Sequence, residues 1–245
     1  MKLPSLNLDQ AAIFFDFDGT LVDLQQTPDM VVVNSRLKLM LTQLNIQTNQ
    51  SIAIISGRSI ASLDQLLDLS QITLSGSHGM QYRYANQTQI LHHPDVIPIQ
   101  ESIYKEAKLF CETHNLLWEV KPLSIAIHYR NRPELENVIE KFLHKFIKQN
   151  NKFEIQGGKY IRELKPRGIS KASALELFMQ HPPFKSLTPW YLGDDITDED
   201  AFNWVNQHQG ISIKIGEGKT QAKYHIDTPD DVLKFFQTNL IKEES

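Results

Sequence analysis

Two carboxylates close a short apolar run: Ala11-Ala12-Ile13-Phe14-Phe15 leads straight into Asp16-Phe17-Asp18-Gly19-Thr20. A second run, Tyr191-Leu192-Gly193, leads into Asp194 and Asp195, with Asp198 three residues on. Carboxylates two residues apart on an extended chain share a side, and at an effective dielectric of 20 two such charges ~4 Å apart repel by about 4 kcal/mol. A hard divalent ion resolves that repulsion, most simply Mg²⁺, which takes one or two carboxylates with water and phosphate oxygens. Transition metals favour imidazole and thiolate ligands. No spaced histidine–cysteine set is present, and the adjacent His92-His93 pair reads as hairpin surface. Two further pieces suit a phosphate. Ser56-Gly57-Arg58 ends another apolar run and offers a hydroxyl and backbone N–H groups. Lys171 opens a helical stretch, whose N-terminus favours an anion.

Taken singly, each piece has a plain structural reading. An Asp-Gly after a strand makes a turn, Thr197-x-x-Asp200 can cap a helix, and a lone lysine is a solvated helix residue. Their joint placement at successive strand ends favours chemistry, because ligands of open α/β sheets bind outside the carboxyl ends of the strands.

The elements that must carry these residues alternate. Strands are expected at 11–15, 52–56 and 72–76, and helices at 35–46 and 59–69, where Leu37, Leu41 and Leu44 and then Leu63, Leu66 and Leu67 share faces. This rhythm predicts a parallel sheet with helices on both sides. Residues 80–93 read as a hairpin turning at Ala85-Asn86-Gln87. From about 98 the pattern becomes αββαββ: helices 98–114 and 133–149, strands 116–121, 124–130, 153–156 and 159–165, with Gly157-Gly158 separating the last two. Such short connections imply an antiparallel sheet, hence a small inserted domain. The first rhythm then resumes, with helices 170–180, 197–207 and 229–239 and strands 188–193, 211–215 and near 223–227. The expected division is a catalytic core of 1–97 and 164–245 and an insert of 98–163.

With 245 residues, 41% hydrophobic and 22% charged, the chain suits a globular protein of one or two domains. A net charge of −4 offers no field for nucleic acid or anionic membrane. The single cysteine, Cys111, precludes an internal disulfide. With no signal core and no long apolar run, a cytoplasmic location is expected, without membrane or nucleic-acid partners and with a monomer as the working expectation.

Asp16-Phe17-Asp18-Gly19-Thr20, Ser56-Gly57-Arg58, Lys171 and Gly193-Asp194-Asp195-x-x-Asp198 resemble the four motifs of the haloacid dehalogenase (HAD) superfamily. The "SGSHG" of 75–79, "IHYR" of 127–130, "GKYIRELKPRGISK" of 158–171 and "GDDITDEDAF" of 193–202 are similar to the trehalose-6-phosphate phosphatases within it. One departure is Ala172 after the motif lysine, where the family commonly has glycine. The resemblance spans about 11 to 240 and implies an α/β fold: a Rossmann-like HAD core with a parallel sheet, plus an inserted α+β cap of the αββαββ, C2B type. It implies Mg²⁺-dependent hydrolysis of a sugar phosphate, trehalose 6-phosphate, through an aspartyl-phosphate.

By the same resemblance Asp16 is the nucleophile, and Asp18 the general acid and then base. Asp16, the Asp18 carbonyl and Asp194 hold the metal, and Ser56 and Lys171 hold the phosphoryl oxygens. Asp195 and Asp198 orient the lysine or the metal's waters. Glu119, Lys121, Lys159 and Glu163 bind the sugar, with Gly19, Arg58, His78 and Arg130 as further substrate contacts. On spacing alone the lid charges also read as cross-strand salt pairs. Other readings stay open here: a sucrose- or mannosyl-phosphate phosphatase, a phosphohexomutase of the same fold, a phosphoacceptor signalling domain, or a silent sugar-binding protein.

Overall fold

A computed structural model of the chain describes residues 3–25, 27–121, 123–158 and 160–242. In chain order its elements are β1 (Ala11–Phe15), α1 (Ser35–Gln47), β2 (Ile52–Ile55), α2 (Ile60–Leu67), β3 (Thr73–Gly76), β4 (Gln81–Arg83) and β5 (Leu91–His92). Then follow α3 (Glu101–His114), β6 (Leu117–Lys121), β7 (Ser124–His128), α4 (Glu136–Gln149), β8 (Phe153–Gly158) and β9 (Ile161–Pro166). The chain closes with α5 (Lys171–Met179), β10 (Thr188–Gly193), α6 (Glu199–Gln207), β11 (Ile211–Ile215), β12 (Tyr224–Ile226) and α7 (Pro229–Lys242). They form two compact units, Met1–His93 with Ile169–Ser245, and Pro94–Gly168. The second unit runs a few residues beyond the span expected at each end; its last strand, β9, continues to Pro166.

The first unit is an eight-stranded sheet ordered β12-β11-β10-β1-β2-β3-β4-β5. All pairs from β12 to β3 are parallel, and β4 and β5 extend the edge antiparallel. All five β1 residues are buried. Ile13 and Phe15 enter a core with Leu37, Leu41 and Leu44 of α1 and Phe236 of α7. Ala12 and Phe14 enter another with Leu175 and Phe178 of α5 and Phe202 of α6. A strand covered on both faces must be apolar throughout, which is why this run is unbroken. The order reverses at β1: β2 lies on one side and β10 on the other. That is the switch point where a crevice opens at the strands' carboxyl ends.

The second unit is a four-stranded antiparallel sheet, β6-β7-β9-β8. Ile125, Ile127, Leu164 and Phe153 pack on Ala107 and Cys111 of α3 and Leu143 and Phe146 of α4. Cross-strand partners share a face. Leu117, Glu119 and Lys121 therefore stand with His128, Ala126 and Ser124, and Glu163 with Ala126 and Gln156, on the face away from those helices.

Two local expectations fail. Gly157 and Gly158 do not separate strands; they continue β8 opposite Arg162 and Ile161. Tyr160, at φ 62°, lies in the reversal instead. At Gly158 a Cβ would sit 2.5 Å from Ile161 Cγ2, so glycine suits this crowded end. His93 is not surface: it is 7% exposed, and its N–H donates to the Met80 carbonyl at 3.0 Å.

Candidate active site

Asp16 is the first residue past β1, and its N–H donates to the Leu192 carbonyl of β10 at 2.8 Å. The backbone tie aligns the ends of the two central strands. Asp16 is 4% exposed, and its Oδ1 accepts from Lys171 Nζ at 2.7 Å. The same ammonium donates to Asp198 Oδ1 at 2.8 Å. Lys171 stands at the start of α5, and Ser170 caps that helix with Ser173 in a reciprocal box. The lysine is thereby fixed at the rim despite being 155 residues from Asp16 in sequence.

Asp198 organises the second acidic segment. It is fully buried. Its Oδ2 accepts the N–H groups of Asp194 and Asp195, both at 3.0 Å, and its Oδ1 also accepts the Tyr191 hydroxyl at 2.7 Å. Carboxylate oxygens of Asp16, Asp194 and Asp198 all lie within 4.8 Å of one another. Both oxygens of Asp198 already have protein donors, which leaves Asp16 and Asp194 as the carboxylates able to take an ion.

Glycines make this closeness possible. Gly19 has φ 83°, and a Cβ there would sit 2.1 Å from Asp194 Oδ2. At Gly193 a Cβ would meet Asp198 Cγ at 2.3 Å.

The electrostatics of the cluster ask for positive charge. Burial raises the Asp16 carboxyl well above the usual carboxylate range, and Asp198 and Asp194 add to this against the pull of Lys171. Burial likewise pushes Asp194 up to about 6, helped by Asp198 and Asp195. Lys171 resists a burial that disfavours its charge, because Asp16 and Asp198 hold it above its ordinary value. For Asp195 burial works upward, but Lys171 and the two Thr197 donors outweigh it and hold the carboxyl low. Those donors are the Thr197 N–H at 2.7 Å and hydroxyl at 2.6 Å. One lysine thus faces a crowded set of oxygen ligands, a donor set that fits a hard divalent cation.

Asp18 lies apart from the three-carboxylate cluster. The chain bends at Phe17, whose carbonyl accepts the Leu21 N–H at 2.9 Å, so the two-residue alternation expected of an extended chain does not continue. Both Asp18 oxygens are taken by Arg58, Nε on Oδ2 at 2.7 Å and Nη2 on Oδ1 at 2.8 Å. Ser56, 1% exposed at the end of β2, accepts the Arg58 N–H on its hydroxyl oxygen at 3.1 Å. His78 is anchored by its N–H on the Ser56 carbonyl at 2.9 Å, and its ring lies against Gly57, where a Cβ would approach Cε1 to 2.6 Å. Asp16, Asp18, Gly19, Ser56, Arg58, His78, Lys171, Asp194, Asp195 and Asp198 are therefore all in the first unit, on the loops that follow β1, β2, β3 and β10 or at the start of α5.

Glu119, Lys121 and Glu163 share the helix-free sheet face of the second unit. Lys121 Nζ donates to Glu163 Oε2 at 3.0 Å, and Glu119 lies 3.5 Å from His128 Nε2. Arg130 follows the end of β7 and lines a cavity of about 310 Å³ with Leu117 and His128 of that face and with Asn131 and Tyr160. Lys159 lies outside the described residues. The sequence reading missed Tyr191 as the donor to Asp198, and Lys214, a 5% exposed β11 residue whose Nζ donates to the Asp194 carbonyl. The lysine within Ile211-Ser212-Ile213-Lys214-Ile215 was a readable signal, since a strand interior rarely carries an unpaired charge.

A doubly wound core with this arrangement of acids and lysine defines a hydrolase of the haloacid dehalogenase type. The fold agrees: a haloacid dehalogenase-like hydrolase from Bacteroides thetaiotaomicron superposes with a TM-score of 0.70 at 15% identity, over 92% of this chain and 98% of that one. More particularly, the chain belongs to the trehalose-phosphatase family, whose profile matches residues 14–230. It is 37% identical over 227 residues to the trehalose-6-phosphate phosphatase of Escherichia coli (strain K12), covering 92% of this chain and 85% of that protein. It also resembles the crystal structure of a trehalose-6-phosphate phosphatase related protein, with a TM-score of 0.73 at 26% identity over 94% of this chain and 97% of that one.

Proposed function

We propose that this protein hydrolyses trehalose 6-phosphate to trehalose and inorganic phosphate, with Asp16 as the nucleophile. The observation that carries the mechanism is the buried Asp16–Lys171–Asp198 bridge beside Asp194 at the switch point of the sheet. An Asp16 oxygen attacks phosphorus and the bond from phosphorus to the sugar oxygen breaks, leaving an aspartyl-phosphate. Asp18 gives its proton to the departing sugar oxygen. It then takes one from the water that attacks the aspartyl-phosphate, which frees phosphate and restores the Asp16 carboxylate. Both Asp18 oxygens rest on Arg58 in this structure. Proton delivery therefore requires Asp18 to turn out of that pair.

Lys171 and the Ser56 hydroxyl neutralise and orient the phosphoryl oxygens, with Gly19, Arg58 and His78 bounding the space they occupy. Asp198 positions Lys171, and Asp195 orders the loop that presents Asp194. The Asp16 and Asp194 carboxylates with the Asp18 carbonyl would hold Mg²⁺, which when bound offsets the repulsion between a carboxylate nucleophile and a phosphate dianion. The second unit acts as the cap that selects the sugar. Glu119, Lys121, Lys159 and Glu163, with Arg130 beyond the sheet, supply donors and acceptors for a neutral polyhydroxylated disaccharide.

Among the described residues no helix is long and apolar enough to cross a membrane. The fold needs no oxidising compartment, since its one cysteine is buried with its thiol pushed up to about 11. We propose a cytoplasmic location and a monomer.

The test is phosphate release from trehalose 6-phosphate, sucrose 6-phosphate and glucose 6-phosphate, with Mg²⁺ and with excess chelator. Trehalose 6-phosphate is expected to be the best substrate and chelator to abolish turnover. Glucose 6-phosphate as the best substrate would remove the sugar assignment.

A pH effect follows from Asp194. Its folded value of about 6 lies above the unfolded 3.8. The native metal-free protein therefore holds a proton that the unfolded chain releases, and this stabilisation is present below about pH 4 and lost as pH rises through about 6. Mg²⁺ needs the ionised form. The rise in melting temperature on adding Mg²⁺ should be larger at about pH 7.5 than at about pH 5; an equal rise at both would contradict the assignment of Asp194 to the ion.

A further inference from the structure

Ser124 opens β7 and is fully buried, and its hydroxyl donates to Glu163 Oε1. The other carboxylate oxygen, Oε2, accepts from Lys121 Nζ at 3.0 Å. The three residues come from adjacent strands: Lys121 pairs with Ser124, and Glu163 pairs with Ala126, two residues along from Ser124 on the same face. Ser124 is thus the diagonal neighbour of Glu163. The small Ala126 directly opposite leaves room for the carboxylate to lean across. Glu163 is only 8% exposed.

A carboxylate so placed is costly unless paired and hydrogen-bonded, and here Lys121 and Ser124 are donors of different kinds to its two oxygens. Lys121 supplies the opposite charge. Ser124 supplies direction without charge, because its O–H can donate along only one line at a time, and an ionised carboxylate can only accept. A carboxylate oxygen can accept more than one hydrogen bond, so a carboxylate held in one rotamer can read the position of a sugar hydroxyl.

We infer that Ser124 is a positioning residue for sugar recognition, orienting Glu163 so that the cap prefers a disaccharide phosphate. This rests on the reading of Glu163 as a sugar ligand. Ser124 does not touch the reacting atoms.

The experiment compares Ser124→Ala, Ser124→Thr and Glu163→Gln on trehalose 6-phosphate and on p-nitrophenyl phosphate, which has no sugar for the cap to hold. Ser124→Ala is expected to raise KM for trehalose 6-phosphate by about tenfold, the weight of one hydrogen bond to a charged group. The kcat for that substrate and kcat/KM for p-nitrophenyl phosphate should change far less, and Ser124→Thr, which keeps the hydroxyl, should recover most of the loss. An unchanged KM in Ser124→Ala with a raised KM in Glu163→Gln overturns the role of Ser124 alone. An unchanged KM in Glu163→Gln overturns the cap reading and this inference with it. Parallel losses on both substrates in Ser124→Ala, with a lowered melting temperature, overturn it in favour of a purely structural serine.

Discussion

Asp16→Asn should lower phosphate release from trehalose 6-phosphate by at least about 10⁴-fold, the scale on which loss of a covalent nucleophile acts. The amide matches the carboxylate in volume, so the packing between β1 and β10 is kept. What it removes is the attacking oxygen's charge. The folded state gives up a 4% exposed carboxylate whose ionisation burial already opposes, and Lys171 keeps Asp198 as a partner. Loss of turnover should therefore come without loss of fold. Phosphate release under saturating substrate, beside a thermal melt, checks both halves. A variant within about 100-fold of the parent would exclude Asp16 as nucleophile, because positioning groups alone carry effects of that size.

Asp18→Asn should separate the two chemical steps. On trehalose 6-phosphate the leaving group is a sugar alkoxide that needs a proton, so turnover should fall by about 10²- to 10⁴-fold, the usual range for a lost general acid. With p-nitrophenyl phosphate the leaving group departs unaided. The first step then proceeds, while the second lacks the base that activates water. Stopped-flow should show a burst of nitrophenolate matching the enzyme concentration, followed by slow release. Linear progress curves without a burst would mean that Asp18 does not serve the second step. The bidentate Arg58 contact predicts that Asn keeps one of the two hydrogen bonds, through its amide oxygen.

The legible parts of this molecule were those where local pattern and burial coincide. β1 was readable to the residue because both faces are covered, and α4 because its apolar stripe meets a single sheet face. The Asp16 and Asp194 ends were visible for the same reason, as abrupt charge after a buried run. What stayed hidden depends on pairs distant in sequence. Nothing near Tyr191 says that its hydroxyl meets Asp198, and nothing near Arg58 says that it takes Asp18, 40 residues away. The glycine pair at 157–158 misled because glycine usually marks a turn; here it serves a crowded strand end beside Ile161. His93 misled because it lies just past β5, where its N–H ties back to the Met80 carbonyl and it is buried while His92 is exposed.

The lid charges lay between these extremes. Two-residue spacing placed Glu119 and Lys121 on one face, and the β7–β9 register brought Glu163 to the same face. The salt-pair reading and the ligand reading both survive in the geometry: Lys121 and Glu163 do pair, at 3.0 Å. With side chains 27% and 11% exposed, that pair is no ordinary surface bridge.

The most direct measurement is to quench Asp18→Asn during its burst with p-nitrophenyl phosphate and map the phosphoryl group by peptide mass spectrometry. The account predicts one phosphoryl group per enzyme, on the Asp16 carboxylate. A phosphoryl group on Ser56 or Asp194, or an unmodified enzyme after the burst, would contradict it.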